Sequence, residues 1–339
     1  MPNVAGGPPW FVSAEAVEAV LSWEEAIRAV QVAYARPADP AATPPRTVAR
    51  GKGAWLRVLP AIPPGSRYFG AKLMGMATES PTRGVEYVIV LFDRDTSRIA
   101  AFVDANAVTG YRTAATSAAA LDRLAPPGPI RVGVLGSGFE ASMHVRAFAA
   151  VRRLEDVTVF SPTPERREAF AEATTRDLGA PSRAAASAEA AADAFRETAD
   201  VVLAAARSRG EQPILFGASL GPGATVVSIG STVPEQREID VSVVERCDTI
   251  VCDDVAEVLE QTGDMLAASE AGLSFRDRCF SLHELMCGDL ESVRDAAQIR
   301  MFKSVGGGLQ DVVVAELVLQ KAIEAGQAVP LPVSFASKS

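Results

Sequence analysis

The chain has 339 residues, of which 48% are hydrophobic and 22% charged, and it carries a formal net charge of −9. This composition is typical of a folded globular protein with two domains, and it excludes a disordered chain. The basic residues are scattered in ones and twos, so the acidic overall charge excludes a protein that binds nucleic acid.

No hydrophobic run reaches the length of a membrane span, and the N-terminal stretch MPNVAGGPPW lacks the pattern of a signal peptide. We therefore expect a cytoplasmic protein without a membrane partner. The four cysteines have no CxxC spacing, which favours reduced thiols. His144 and His283 have no partners at metal-ligand spacing, so we expect both on helix surfaces and expect no metal site.

The N-terminal part begins with a helix and continues as strands. Residues 22–25, SWEE, have the form of a capping box, and apolar residues at helical spacing follow until Pro37. Between residues 54 and 104 the runs AWLRVL, YFGAKLMGM, VEYVIVLFD and RIAAFVD predict strands, the last two joined by a turn at 94–97. The small residues of 109–120 predict a helix that a proline cluster then ends.

Strands and helices alternate after that cluster. The runs IRVGVLG, DVTVFS, ADVVLAAA, ATVVSIG and TIVCDD are apolar without alternation, which predicts a parallel sheet covered on both faces. The glycine-containing turn at 304–308 is followed by a predicted helix over 309–324. We expect that helix to pack on the N-terminal domain and so to make that domain discontinuous.

The stretch VGVLGSGFEA, residues 132–141, has the form G-x-G-x-x-A at Gly136, Gly138 and Ala141. A predicted strand precedes it and a predicted helix follows it. In this context the first glycine permits a tight turn, the second lets the backbone approach a pyrophosphate, and the alanine lets helix and strand pack. The loop predicts a dinucleotide site, the alternative being a purely structural turn.

The end of the next predicted strand carries Ser161, where a site for NAD usually presents an acidic residue to the ribose. Ser161, Thr163 and Arg166 could instead bind the additional phosphate of NADP. We therefore favour NADP as the cofactor, with NAD as the alternative.

The order of the motifs resembles the ornithine cyclodeaminase and mu-crystallin family, which also contains alanine dehydrogenases and ketimine reductases. The matching stretches are 45–46 (PR), 70–72 (GAK), 110–115 (GYRTAA), 136–141 (GSGFEA) and 302–306 (FKSVG). The resemblance implies a Rossmann-type doubly wound parallel sheet beside a discontinuous α+β domain that binds substrate and forms a homodimer. We assign the α+β domain to 1–125, the Rossmann domain to 126–297, and the returning helix to 298–339.

The resemblance also implies a set of site residues. Arg46, Lys72 and Arg112 would bind the substrate carboxylate, with Arg112 where substrate and cofactor meet. A guanidinium can form two charge-assisted hydrogen bonds to a carboxylate, and Lys72 could also deliver a proton to nitrogen, which makes Lys72 the predicted catalytic residue. The predicted cofactor-binding residues are Arg112, Thr113, Gly136, Ser137, Gly138, Phe139, Glu140, Ser161, Thr163, Arg166, Ile229, Gly230, Ser304 and Gly306.

Cyclodeaminases of the family have a catalytic aspartate at the position that corresponds to Thr232. A threonine hydroxyl cannot act as a carboxylate base, and Glu235 lies three residues further on. We therefore predict a nicotinamide-dependent imine reductase or amino acid dehydrogenase that transfers hydride between NAD(P)H and the α-carbon of a small imino acid. The alternatives are an ornithine or lysine cyclodeaminase and a non-catalytic, mu-crystallin-like protein that binds NADP or another ligand.

Glu86 and Tyr87 stand where many relatives have smaller or uncharged residues. They either line the substrate pocket, in which case the substrate is unusual and could carry an amine, or only begin a strand. The sequence leaves both interpretations open.

Overall fold

The computed structural model describes residues 7–37, 39–77, 79–80, 84–208 and 210–336. The chain divides into two compact units. The first unit consists of the residues up to Thr113 together with those from Gly307 onward, and the second consists of Ala114–Gly306.

The elements follow the order that the sequence predicts. The strands are β1 (Trp10–Val12), β2 (Thr47–Gly51), β3 (Ala54–Ala61), β4 (Tyr68–Ala77), β5 (Val85–Asp93), β6 (Ile99–Asp104), β7 (Ile130–Leu135), β8 (Leu154–Phe160), β9 (Ser182–Ala184), β10 (Val201–Ala204), β11 (Thr225–Ser228), β12 (Thr249–Cys252), β13 (Cys279–Ser281), β14 (Arg300–Lys303) and β15 (Val329–Pro330). The α-helices are α1 (Ala14–Val20), α2 (Trp23–Tyr34), α3 (Ala105–Leu124), α4 (Phe139–Val151), α5 (Pro164–Leu178), α6 (Ala188–Thr198), α7 (Val241–Arg246), α8 (Val255–Gln261), α9 (Gly263–Glu270), α10 (Leu282–Cys287), α11 (Glu291–Ala296) and α12 (Gly308–Glu324).

The first unit contains a seven-stranded sheet in the order β15-β1-β6-β5-β4-β3-β2. All neighbouring strands are antiparallel except β1 and β6, which are parallel. Helix α12 packs against β4 and α2. The predicted cap of α2 is confirmed, since the hydroxyl of Ser22 accepts the amide N–H of Glu25 at 3.3 Å.

The second unit contains an eight-stranded sheet in the order β13-β12-β14-β11-β10-β7-β8-β9, in which every pair is parallel. All residues of β10, β11, β12 and β14 are buried, as expected for strands covered on both faces. The chain runs from β7 outward to β9 and then returns to the other side of β7. This reversal of strand order marks the edge where open α/β sheets bind ligands.

The compact units end at different residues from the predicted domains. The second half of α3 belongs to the second unit, and so does β14, which pairs with β11 and β12. Helix α12 belongs to the first unit. Within the described parts of the chain, no helix is long and apolar enough to cross a membrane.

The expectation of a surface histidine is wrong for His144. Its side chain on α4 is completely buried, with Nδ1 2.7 Å from the carbonyl oxygen of Glu140 and Nε2 3.0 Å from the hydroxyl of Ser117. Burial lowers the pKa of His144 to about 4, so the ring is neutral near pH 7. The apolar and polar positions of α4 did not reveal this because His144 faces the second half of α3, a contact that only the fold creates.

Candidate active site

Three charged side chains from different elements meet in the first unit. The Nζ of Lys72, on β4, lies 2.9 Å from Oδ1 of Asp311, on α12. The Nε of Arg112, on α3, lies 2.8 Å from the same oxygen. The hydroxyl of Thr109 lies 3.4 Å from the Nζ of Lys72. We call Lys72, Arg112 and Asp311 the cation cluster.

The cation cluster carries more positive than negative charge and is almost free of solvent. Lys72 is 1%, Arg112 6% and Asp311 0% exposed. Burial, and then the positive charge of Arg112, lower the pKa of Lys72 to about 8, while Asp311 opposes the shift. Two cations on one carboxylate leave the cluster suited to a second anion, such as a substrate carboxylate.

Two further side chains interact with this cluster. Gln310 accepts a hydrogen bond from Nη1 of Arg112 at 2.8 Å, and its own amide nitrogen donates to the hydroxyl of Tyr34 at 2.9 Å. Arg46 is half-buried and close enough for its charge to lower the pKa of Lys72. The structure thus brings together the three side chains predicted to bind a carboxylate.

Asp311 and Gln310 were not among the residues predicted from the sequence. Both are completely buried on α12, whose other buried positions are apolar. Two adjacent polar residues within the run LQDVVVAELVL were the available indication, since a buried carboxylate requires a partner. That partner could not be identified from the sequence because Lys72 lies 239 residues away along the chain.

Tyr87 and Glu86 lie on opposite faces of the first sheet. Opposed residues of neighbouring antiparallel strands share a face, and alternate residues of one strand do as well. Lys72 opposes Ile89, and Met74 opposes Tyr87, so Tyr87 is on the face of Lys72. Glu86 is exposed on the other face.

Thr113 follows Arg112 on α3. Its hydroxyl donates to the carbonyl oxygen of Thr109, one turn earlier, at 2.7 Å. Both predicted cofactor residues of this helix thus lie in the first unit, and Arg112 is engaged by Asp311 there.

In the second unit, Gly136 makes the tight turn that follows β7. Its φ of 112° is a conformation that side chains with a Cβ rarely adopt. A Cβ at this position would lie 2.7 Å from the carbonyl oxygen of Ala205. The turn therefore requires glycine, and it lies where the strand order of the sheet reverses.

Gly138 is the N-cap of α4, and Phe139 and Glu140 are the first residues of the helix. The N-cap residue is a glycine and has no side chain that could cap this end. A Cβ on Gly138 would meet no atom within 4 Å apart from its chain neighbours. The space beside Gly138 at the start of the helix is therefore open, which fits the pyrophosphate of a dinucleotide.

A cavity of about 290 Å³ adjoins this loop within the second unit. Residues lining it include Gly136, Phe160, Ser161, Ala206 and Phe216. The hydroxyl of Ser161 is 2.8 Å from that of Ser137, so two predicted cofactor residues are in contact. The mostly apolar lining with a few polar groups is typical of a small-molecule site.

The predicted phosphate-binding residues after β8 occupy an exposed turn. Thr163 is the N-cap of α5, and Arg166 is exposed in its first turn. The neighbouring Arg167 donates to the carbonyl oxygen of Ser161 at 2.9 Å and stacks over the ring of Phe160, 5.4 Å away. Arg167 thus stabilises the turn, and Arg166 remains accessible to a ligand.

The loop that contains Ile229 and Gly230 is held by a buried carboxyl group that the sequence analysis also missed. Oε2 of Glu238 accepts the amides of Ile229 and Gly230, at 3.1 and 2.9 Å, and the hydroxyl of Ser228 at 2.7 Å. Oε1 accepts the amide of Ala206 at 3.0 Å. Burial raises the pKa of Glu238 to about 7.

A second buried lysine lies next to this carboxyl group. The Nζ of Lys303 is 2.9 Å from Oδ2 of Asp264 and donates to the hydroxyl of Ser228 at 2.8 Å. Glu238, Lys303 and Asp264 are all at most 1% exposed, and Arg237 contacts Asp264 at 3.4 Å from the edge. We call Glu238, Lys303 and Asp264 the carboxylate cluster.

Asp253 positions the last predicted cofactor residues. Its carboxylate accepts the hydroxyl of Ser304 at 2.6 Å and the amides of Val305 and Gly306 at 3.0 and 2.8 Å. Three hydrogen bonds from consecutive residues fix the loop after β14. No sequence pattern indicated this partner, which lies after β12.

The position of the cyclodeaminase aspartate is occupied by a threonine with a local partner. Thr232 donates both its amide and its hydroxyl to Oε1 of Gln236, at 3.0 and 3.1 Å. Glu235 is exposed. No carboxylate therefore takes the position of the missing base in this loop.

A comparison with protein families identifies the chain. The model of the ornithine cyclodeaminase/mu-crystallin family matches residues 9–326. The chain belongs to this family. The predicted family and the predicted α/β fold are both confirmed.

Characterised members of the family include reductases of imines. The iminosuccinate reductase of Paracoccus denitrificans is 32% identical over 240 residues, which are 71% of this chain and 72% of that protein. The ketimine reductase mu-crystallin of Rattus norvegicus is 30% identical over 230 residues, 68% of this chain and 67% of that protein. The crystal structure of the Paracoccus enzyme in complex with NAD⁺ has a TM-score of 0.85 at 26% identity, covering 96% of this chain and 100% of that chain.

The second unit of this family member fits a nicotinamide dinucleotide by its own geometry. The strained turn at Gly136, the open space at Gly138 and the uncapped start of α4 together form a cradle for a diphosphate. The cavity beside Ser161 is large enough to accept further parts of the ligand.

Proposed function

We propose that this family member is an NAD(P)-dependent reductase that acts on the C=N bond of small α-imino acids. The observation that carries the proposal is the cation cluster, in which buried Lys72 and Arg112 share the single carboxylate of Asp311. Burying a surplus cation is costly unless an anion completes the site. The carboxylate of an imino acid is such an anion, and the reductases among the relatives agree with this choice.

When bound, the reduced nicotinamide supplies a hydride to the substrate α-carbon. Conversion of the imine to an amine also requires one proton at the substrate nitrogen. The chain's own task is to bind the carboxylate through Arg46, Lys72 and Arg112 and so to fix the α-carbon. Asp311 and Gln310 hold Lys72 and Arg112 in place, and Lys72 supplies the proton.

The cofactor is held by the second unit in this proposal. The first-turn amides of α4, at Gly138, Phe139 and Glu140, bind the pyrophosphate. Ser137 and Ser161 bind the ribose side, and Thr163 with the exposed Arg166 binds the additional phosphate, which favours NADP over NAD. The loops at Ile229–Gly230 and Ser304–Gly306, fixed by Glu238 and Asp253, complete the binding residues.

We propose a reductase and not a cyclodeaminase because of the residues around Thr232. Ring closure with loss of ammonia needs a base near the side-chain amine of the substrate. The hydroxyl of Thr232 is directed to Gln236, and Glu235 is exposed. We further propose a cytoplasmic homodimer, supported by the family resemblance and by four cysteines that are all free thiols.

The decisive experiment follows NADH and NADPH absorbance in parallel. Imines formed from 2-oxo acids with ammonia or methylamine, and preformed cyclic imines, are the substrates. We expect oxidation of NADPH, and more slowly of NADH, that depends on the imine. Nucleotide binding without turnover of any imine would instead indicate a binding protein, and ammonia release from ornithine or lysine would indicate a cyclodeaminase.

A further inference from the structure

Arg57, on β3, shares a sheet face with Lys72. The strand register opposes Leu59 to Lys72 and Lys72 to Ile89, and these three residues form an inner row across β3, β4 and β5. One step toward the other end of the same face, the register places Val48, Arg57, Met74 and Tyr87 side by side. We call these four residues the outer row.

The inner and outer rows are close enough for one ligand to contact side chains of both. Residues two apart in a strand are separated by about 7 Å, and adjacent strands by about 5 Å. Arg46 directly precedes β2, and continuing the register of β2 and β3 places it beside Leu59 at the end of the inner row. Arg57 is therefore diagonal to both Arg46 and Lys72 on one face.

The guanidinium of Arg57 is held in place. It stacks over the ring of Trp55, two residues earlier on the same face, with a distance of 5.4 Å to the ring centroid. Its Nε is inaccessible to solvent, and the side chain as a whole is half-buried. A fixed and partly desolvated guanidinium binds carboxylates more strongly than a mobile surface arginine does.

The charge of the outer row is positive. Its other three members are uncharged, and all four are half-buried. The nearest acidic residue of β5, Glu86, is exposed on the opposite face. The face therefore presents one cationic group at the outer row in addition to the cations that surround Asp311.

We propose that Arg57 binds a second carboxylate, carried by the side chain of the substrate, and that the enzyme acts on imino diacids of four or five carbons. The proposal rests on the proposed function, in which the inner-row cations bind the α-carboxylate. Two or three carbons separate the two carboxyl groups of such a diacid, so a substrate with its α-carboxylate at the inner row can direct the second carboxylate toward the outer row. The proposal argues against a substrate that carries an amine, because Arg57 would repel an ammonium group at this position.

The test compares a diacid with a monoacid of otherwise similar structure. Oxaloacetate with ammonia provides the diacid imine, pyruvate with ammonia provides the monoacid imine, and NAD(P)H oxidation is followed; omitting ammonia corrects for reduction of the ketone. We expect Arg57→Gln to lower kcat/KM for the diacid by about 10- to 100-fold, the loss of one charge-assisted contact. We expect the monoacid value to change by less than about threefold, because no contact to it is lost.

Two variants make the result specific. Lys52→Gln removes the same charge from an exposed position in the turn between β2 and β3, and it should leave both substrates unaffected. Arg57→Lys should restore part of the diacid activity, because lysine keeps the positive charge but cannot form two parallel hydrogen bonds to a carboxylate. Retained monoacid activity and an unchanged melting temperature exclude misfolding as the cause.

The outcomes separate the two proposals. If the wild-type enzyme prefers the monoacid, or if Arg57→Gln lowers both activities equally, the assignment of Arg57 is wrong while the reductase activity stands. If no imine of either class supports NAD(P)H oxidation, the proposed function itself fails.

Discussion

The two compact units each bury one lysine against one aspartate at the same distance, 2.9 Å, yet the surroundings differ in charge. In the cation cluster a second cation, Arg112, shares the carboxylate. In the carboxylate cluster a second carboxyl group, Glu238, lies beside Lys303, and backbone amides satisfy it. In the proposed function the first arrangement binds the anion of a substrate, whereas in the second the carboxyl groups are paired with Lys303 and with backbone amides of the chain.

The role of a buried ion pair depends on the charges that surround it. A buried salt bridge does not by itself indicate function or stability, because desolvation offsets the attraction. The surplus charge and the groups that satisfy it decide the role. We therefore expect the cation cluster to control turnover and the carboxylate cluster to control the stability of the second unit.

The strongest test replaces each lysine by methionine. Lys72→Met should lower kcat/KM by about 10²- to 10⁴-fold with nucleotide affinity retained, because Asp311 keeps Arg112 as its partner. Lys303→Met should lower the free energy of unfolding by about 3–5 kcal/mol, because Asp264 loses its fully buried cation. Steady-state kinetics, nucleotide titration and denaturant unfolding measure the effects; similar losses of activity and stability in both variants would contradict the distinction.

The next test concerns how the second unit binds an anion through its backbone. Gly136→Ala should destabilise the protein by about 1–3 kcal/mol, because the added Cβ would require a strained φ and contact Ala205. Gly138→Ala should destabilise the protein by less than about 1 kcal/mol, the cost of a poorer N-cap, since its Cβ meets open space, and it should weaken nucleotide binding by about tenfold. If Gly138→Ala binds NADP and NAD as the wild type does, the pyrophosphate is not at this loop.

The pH dependence of turnover tests the surplus charge of the cation cluster. The pKa of Lys72 is lowered to about 8, and the ammonium is the form that binds a carboxylate, so kcat/KM should decrease as the pH rises through about 8. Asp311 raises the pKa of Lys72, so Asp311→Asn should move this decrease to lower pH. Profiles of kcat/KM from pH 6 to 9.5 measure the shift; an unchanged midpoint in the variant would show that Lys72 is not the titrating group.

The smallest effects should come from the hydroxyl beside each lysine. Ser228→Ala removes the group between Lys303 and Glu238, at 2.8 and 2.7 Å, and should cost about 1–3 kcal/mol of stability. Thr109→Val removes a hydroxyl at 3.4 Å from Lys72 and should change kcat/KM by less than about threefold. If Thr109→Val lowers kcat/KM by much more than threefold, the hydroxyl of Thr109 contacts the substrate.

Much of the fold could be predicted because its determinants are local. Apolar runs without alternation indicated the parallel sheet of the second unit, and the capping residue Ser22 indicated the start of α2. The strained turn at Gly136 could be recognised because only glycine adopts its backbone conformation. His144 was assigned wrongly to the surface, since its partner on α3 lies in another element.

The family, the order of strands and helices, and Lys72 and Arg112 as candidate cations could all be inferred from the amino-acid sequence. The contact of Asp311 with these two cations, the hydrogen bonds from Glu238 and Asp253 to the loops predicted to bind the cofactor, and the face that Arg57 shares with Lys72 became visible only in the folded chain. Periodicity and turn chemistry act between neighbours along the chain. Charge pairing acts through space, and its partners here are brought together by strand register and helix packing.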